Sequence, residues 1–238
     1  MKKIIADVHT HTLASGHAYG TMREMAAAAA ERGLQIIGFT DHAPGIPGTC
    51  SPTYFMNFEV VPRSLSGVGV LFGSEINVQN DGTLSLEQRY LDRLDYGIVG
   101  IHGMCYTDAG REGNTANLIS CMRNPKVRIV SHPDDDHTPL DYAALVRASV
   151  ETHTALELNN SSLVKKDRRL NCYENYRTML GLCRKEGMPI AVDSDAHDPS
   201  QVGHFELAEA LLDELNFPPE LVLNTDRERL LAFLTEKI

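Results

Sequence analysis

No apolar run in this 238-residue chain approaches the roughly 20 residues that a membrane-spanning helix needs. The apolar segment ahead of Asp7 is too short for a secretory signal, so a cytoplasmic location is expected, with no membrane partner. Cysteine is sparse: Cys50, Cys105, Cys121, Cys172 and Cys183 are an odd number with no Cys-x-x-Cys spacing. That disfavours a disulfide framework and a thiolate zinc site alike, and leaves five reduced, packed thiols. Positive charge is in deficit. The 22 Lys and Arg face 32 Asp and Glu, and a formal charge of -10 argues against a surface that grips nucleic acid by neutralising its backbone. It does not exclude a phosphate ligand where bound cations reverse the local sign. With 42% hydrophobic and 23% charged residues there is no compositional sign of disorder, and the length suits one domain, residues 1–238, with a buried core. Tryptophan is missing, whereas histidine occurs ten times. Imidazole is the commonest protein ligand for transition metals.

The histidines fall in a pattern. Lys3 to Val8 reads as a strand that runs into Asp7-Val8-His9-Thr10-His11, and residues two apart on a strand project from one face, so His9 and His11 point together. Further buried strands are expected at Leu34 to Thr40, Val68 to Ser74, Tyr96 to Ile101, Lys126 to Ser131, Ala155 to Leu158 and Pro189 to Val192. They lead into Asp41-His42, Glu75, His102, His132-Pro133, Asn159-Asn160 and Asp193-Ser194-Asp195-Ala196-His197.

Between them lie helices: one after the Thr21 to Glu24 capping box, ending at Gly33, then Leu84 to Arg93 and Thr115 to Met122. Another is expected near Pro139 with Thr138 as its cap, then Asn171 to Glu186 closed by Gly187, one capped by Asp198-Pro199, and a last one opened by Thr225 to Glu228. A long loop, Pro44 to Pro62, carries Tyr54, Phe55 and Phe58, which either wall a pocket or cover the core. Seven strands alternating with helices form a parallel α/β pattern, and ligand-type residues after strand upon strand favour a closed barrel, which gathers its strand ends on one rim, over an open sheet.

Gathered together, these strand-end residues resemble the PHP family, named for polymerase and histidinol phosphatase. The matching text is Asp7-Val8-His9-Thr10-His11-Thr12, Gly16-His17-Ala18, Thr40-Asp41-His42, Gly73-Ser74-Glu75, Ser131-His132-Pro133 and Asp193 to His197, and it covers nearly the whole chain. Glu157 to Ser162 and the tail Phe217-Pro218-Pro219-Glu220 look most like the small stand-alone YcdX-type phosphatases. The resemblance implies a distorted (β/α)7 barrel and three divalent ions, zinc first, with manganese or iron as alternatives. One ion would take His9, His11, Glu75 and Asp195, a second Glu75, His102 and His132, and a third His17, His42 and His197. Mixed imidazole and carboxylate sets suit such ions, and one carboxylate can bridge two of them.

The expected reaction is hydrolysis of a small phosphomonoester by attack of a metal-activated water. Asp7, Asp41 and Asp193 are the candidate catalytic carboxylates, with Asp41 able to protonate a leaving group; the commoner role for such residues is to orient ligating imidazoles. Arg63, Arg168 and Arg169, with Lys165 and Lys166, are candidates for holding the substrate phosphate. His137, His153 and His204 read as surface or helix-packed, and Asp134-Asp135-Asp136 as a solvated acidic loop. Asp134 stands where a glycine is expected after His-Pro, and Gly103-Met104-Cys105 is a second departure. The alternatives are a histidinol-phosphate phosphatase, an amidohydrolase-like metal hydrolase and a metal-bearing interaction module without activity. A small phosphorylated metabolite is the expected partner, nucleic acid is not, and a homo-oligomer is left open.

Overall fold

The computed structural model describes residues 2–236. Short apolar runs form its strands, and almost every strand residue is buried, as expected where helices cover a parallel sheet. In chain order the strands are β1 (Ala6–Thr10), β2 (Ile36–Phe39), β3 (Ser64–Leu65), β4 (Val68–Phe72), β5 (Glu75–Asn77), β6 (Gly97–Gly100), β7 (Val127–Val130), β8 (Ala155–Asn159) and β9 (Ile190–Asp193). They make two sheets, ordered β1-β2-β4-β3 and β5-β6-β7-β8-β9, parallel throughout except for the short β3, which runs antiparallel beside β4.

The sheets meet along two seams. Only Gly73 and Ser74 separate β4 from β5, and this stretch serves both sheets: the Gly73 N–H donates to the Phe39 carbonyl at 2.8 Å, and the Ile98 N–H to that of Ser74 at 2.9 Å. Across the other seam β1 and the segment just after β9 share a parallel bridge, Thr10 with Ala196. Side chains reinforce it. Asp193 Oδ1 accepts from the Val8 N–H at 2.7 Å and from Asn224 Nδ2 at 3.1 Å. In return Asp7 accepts from the Ser194 N–H at 3.1 Å, the Ser194 hydroxyl at 2.5 Å and the Gly203 N–H at 2.9 Å.

The helices are α1 (Met22–Glu31), α2 (Gln88–Leu91), α3 (Gly110–Met122), α4 (Tyr142–Thr152), α5 (Asn160–Val164), α6 (Cys172–Glu186), α7 (Glu206–Glu214) and α8 (Arg227–Thr235). The capping box at Thr21 and Glu24 and the left-handed stop at Gly187 form as expected. The helix expected from Leu84 to Arg93 shrinks to α2, because Val78 and Leu84 form an antiparallel bridge and the Ser85 N–H donates to the Asn77 carbonyl. Similarly, α4 starts at Tyr142 with Asp141 as its cap, not at Pro139 with Thr138: Asp141 accepts from the Ala144 N–H at 3.1 Å. The α3 helix begins earlier than Thr115, with Asn114 buried inside it and bonded to Tyr106, Asp108 and the Ala109 N–H. Asp198-Pro199 opens only one 3-10 turn, Pro199–Gln201, before α7. Among the described residues no helix is long and apolar enough to cross a membrane.

Candidate metal centre

The C-terminal ends of the strands converge. On β1 and just beyond it, His9 and His11 face the same way, with Nε2 atoms 3.1 Å apart. Glu75, first residue of β5, brings Oε2 to 3.3 Å from His9 Nε2 and 3.4 Å from His11 Nε2. Asp195, two residues past β9 and at φ 52°, brings Oδ1 to 3.6 and 3.3 Å from the same two nitrogens. A tetrahedral ion with bonds of about 2.0–2.2 Å would separate its ligands by about 3.3–3.6 Å, and the four nitrogen–oxygen separations fall in that range.

The other oxygen of Glu75 faces a second set. Its Oε1 lies 3.1 Å from His102 Nε2 and 2.9 Å from His132 Nε2, and accepts from the Ser131 hydroxyl at 2.7 Å. Gly100 is required here: a Cβ would lie 2.2 Å from Ser131 Oγ and 3.3 Å from both imidazole rings. The third set is outermost. His17 and His197 bring their Nε2 atoms to 3.2 Å, and the His42 ring centroid lies 5.0 and 6.0 Å from theirs. His42 Nδ1, 3.1 Å from Glu75 Oε2, and His102 Nδ1 are buried without a hydrogen-bond partner. An imidazole nitrogen such as His42 Nδ1, set beside a shared carboxylate without a hydrogen bond to it, is what a cation site leaves when only its protein side is counted.

Other ring nitrogens are held. His9 Nδ1 lies 2.7 Å from Glu157 Oε1, and His11 Nδ1 lies 3.0 Å from the Ser15 hydroxyl, which itself donates to Asp41 at 2.7 Å. Asp41 also accepts from the Thr12 N–H and hydroxyl and from the Tyr54 hydroxyl, at 2.7, 2.8 and 2.8 Å. Four donors saturate this carboxylate and turn it toward His11 and the 44–62 loop. Burial disfavours the charged forms of Glu75 and Asp195, but the histidines around them outweigh it and hold both well below the usual carboxylate range. Burial and then the His11 charge press His42 down to about 3 and His197 to about 4. Burial works against charge on His9 and His11 as well, but the carboxylates around them outweigh it and raise both, His11 to about 8, so a cation ligated there would displace a proton.

The sequence comparison decides the family. Residues 7–127, more than half of the chain, match the PHP domain. The chain belongs to the PHP family. Relatives of the same length accompany the match: a protein of Clostridium novyi named a probable phosphatase is 39% identical over 99% of this chain and 96% of its own length. Another named so, from Caldicellulosiruptor saccharolyticus, is 39% identical over 96% of this chain and 95% of its own. Among solved structures, the histidinol phosphate phosphatase of Lactococcus lactis, complexed with zinc, L-histidinol and phosphate, superposes with a TM-score of 0.64 at 17% identity, covering 90% of this chain and 95% of that one. A chain of the archaeal ribonuclease P bound to mature tRNA gives 0.63 at 16% identity, covering 96% and 89%. At such identities the two structures speak for the fold alone.

This PHP chain brings together the nine histidines and carboxylates expected from sequence, beside a cleft of about 310 Å³. Arg63 is not among them. It pairs with Asp95, at the opposite end of β6, and lies over the Phe72 ring at 4.7 Å, so its expected substrate contact is withdrawn. Arg168 is exposed in a neighbouring hollow, whereas Arg169 lines the cleft with its guanidinium already engaged. Its Nε and Nη2 donate to Asp134 at 2.8 and 2.7 Å, and Nη2 also to the His132 carbonyl at 3.0 Å. Asp134 is therefore no member of a solvated acidic loop but a fully buried ion-pair partner. Sequence reasoning assigned no role to Ser15 or Glu157. The signal for Glu157 was there, since it is the lone charge within the buried run Ala155–Asn159.

Asp7 and Asp193 lie buried across the seam rather than in the cleft. Burial, followed by the charges of Glu157 and Asp7, raises the Asp193 carboxyl well above its usual value. A folded-state carboxyl raised in this way costs stability once ionised, so the fold loses stability as pH rises from the ordinary carboxyl value through the raised one. Metal-free Asp193→Asn keeps one acceptor oxygen and sheds that loss. It should melt no lower than wild type at pH 7, with its advantage shrinking toward pH 4 and turnover of the metal-loaded variant retained. Thermal scans at the two pH values check this; a variant melting several degrees lower at pH 7 would contradict it.

Proposed function

We propose that this PHP protein is a metal-dependent phosphatase that hydrolyses small phosphomonoesters with three divalent ions at the strand ends. Its membership of the phosphoric ester hydrolases follows from the full-length relatives. The observation that carries the metal reading is Glu75, whose two oxygens face separate histidine sets at the side of an open cleft. In this reading His9, His11, Glu75 and Asp195 hold one ion, Glu75, His102 and His132 a second, and His17, His42 and His197 a third. Zinc is favoured, with manganese or iron as alternatives. Such ions supply Lewis acidity toward the phosphoryl oxygens and a water activated for in-line attack.

The chain's own residues shape the rest. Ile101, Leu118 and Leu140 give the cleft an apolar side, and Lys165 stands at its wall as a cation for the ester, while Arg169 is committed to Asp134 and His132. We read the two sheets as one distorted seven-strand barrel, with β4 and β5 counted together, in a single domain over residues 1–238, at work in the cytoplasm on a phosphorylated metabolite.

The test is turnover of an aryl phosphate with metal content measured on the same sample. Three ions per chain and robust hydrolysis are expected. Dialysis against dipicolinate should abolish activity, with recovery on adding zinc or manganese. It should also lower the melting temperature by at least about 5 °C, since a single ion at a hundredfold its Kd adds about 2.7 kcal/mol and each kcal/mol moves a domain of this size by about 2–4 °C. Full turnover by metal-free protein would sink the reading.

A further inference from the structure

Strand β8 supplies none of the nine proposed ligands, yet two of its residues reach ligands on three other segments. Glu157 and Asn159, two apart and both fully buried, share a face. Glu157 Oε1 meets His9 Nδ1 at 2.7 Å, while Oε2 accepts from the His132 N–H at 2.7 Å and from Asn159 Nδ2 at 3.1 Å. Asn159 Nδ2 also lies 3.3 Å from Asp195 Oδ2. His132 and Asp195 both adopt left-handed backbone, at φ 30° and 52°. Non-glycine residues stay there only where neighbours hold them.

We propose that Glu157 is a positioning residue that selects the ligating nitrogen of His9 and ties that choice to the placement of His132. The inference rests on the metal-site reading above. A main-chain N–H and an amide NH2 can only donate, so Oε2 must accept from both. With Oε1 accepting as well, the His9 proton sits on Nδ1 and the Nε2 lone pair faces Glu75, Asp195 and His11. One carboxylate thereby sets the tautomer of a ligand in the first set and the main chain of a ligand in the second.

Glu157→Gln separates the two tasks. Glutamine has a single acceptor oxygen, and the two donors at the Oε2 position claim it. Its NH2 then faces His9 Nδ1, which must accept, driving the proton to Nε2, where it blocks ligation. Nothing here requires the His132 contact to break.

The experiment uses the full chain labelled with 15N-histidine, loaded with zinc alone, with zinc affinity measured by competition against a chromophoric chelator. Long-range 15N–1H spectra of zinc-loaded wild type should show His9 protonated at Nδ1. Glu157→Gln should move the proton to Nε2 and weaken zinc binding by about 10–100-fold, with a near-native circular dichroism spectrum. A His9 proton on Nε2 in the wild type overturns the proposal, and so does wild-type zinc affinity in the variant. Should Glu157→Gln not fold, the wild-type spectrum still decides. A wild type that takes up no zinc would instead bring down the metal-site reading itself.

Discussion

Glu75→Ala should lower kcat/KM by about three orders of magnitude, equivalent to about 4 kcal/mol of transition-state stabilisation. Among the described residues no other side chain stands so close to so many of the proposed ligands. Within 3.4 Å its oxygens face the ring nitrogens of His9, His11, His42, His102 and His132. Removing it leaves imidazoles clustered without their shared anion, and the charge that favours a cation there falls by one. Two of the three ions should therefore be lost together, leaving about one per chain by elemental analysis. A ligand serving one ion alone, such as His17, should cost one ion and less activity. Normal metal content with full activity in Glu75→Ala would refute the shared-carboxylate assignment.

Asp134→Ala should destabilise the fold by about 3 kcal/mol, the low end for breaking a buried ion pair by removing one partner. The low end applies because the Arg169 side chain keeps 22% of its exposure while Asp134 has none. At about 2–4 °C per kcal/mol, the melting temperature should fall by about 6–12 °C. Burial opposes the charge on Arg169, but its bonds to Asp134 outweigh that and raise its pKa further above the usual value. Without Asp134 the guanidinium keeps the His132 carbonyl and loses its counter-charge. The double variant Asp134→Ala with Arg169→Met should recover part of the loss, because neither charge is then stranded. A single variant melting within about 2 °C of wild type would show that the pair contributes nothing net.

Residues that act by their own chemical type were legible in the chain. His9 and His11 could be read as a pair because strand periodicity is local, and Glu75, His102, His132, Asp195 and His197 because each follows an apolar run that could only be a buried strand. The capping box at Thr21 and the stop at Gly187 were legible for the same reason: a helix end is decided by a few neighbouring residues. The helix ends that differ lie where a competing partner intervened, nearby at Leu84, bridged to Val78, and far along the chain at Asn114, which donates to the carbonyl of Pro139.

By itself, then, the sequence determined the parallel α/β pattern, the family and which histidines and carboxylates follow the strands. Only the tertiary structure decided what each charged residue does. Arg63 and Arg169 are alike as letters, but one meets Asp95 at the far end of the strands and the other meets Asp134 beside His132. Asp41, Asp134 and Glu157 gained their roles from donors that approach across more than a dozen residues of chain, on Tyr54, Arg169 and His9. Periodicity acts over one or two turns of chain, whereas the electrostatic partner of a buried charge is chosen by packing, which brings together residues that no local pattern connects.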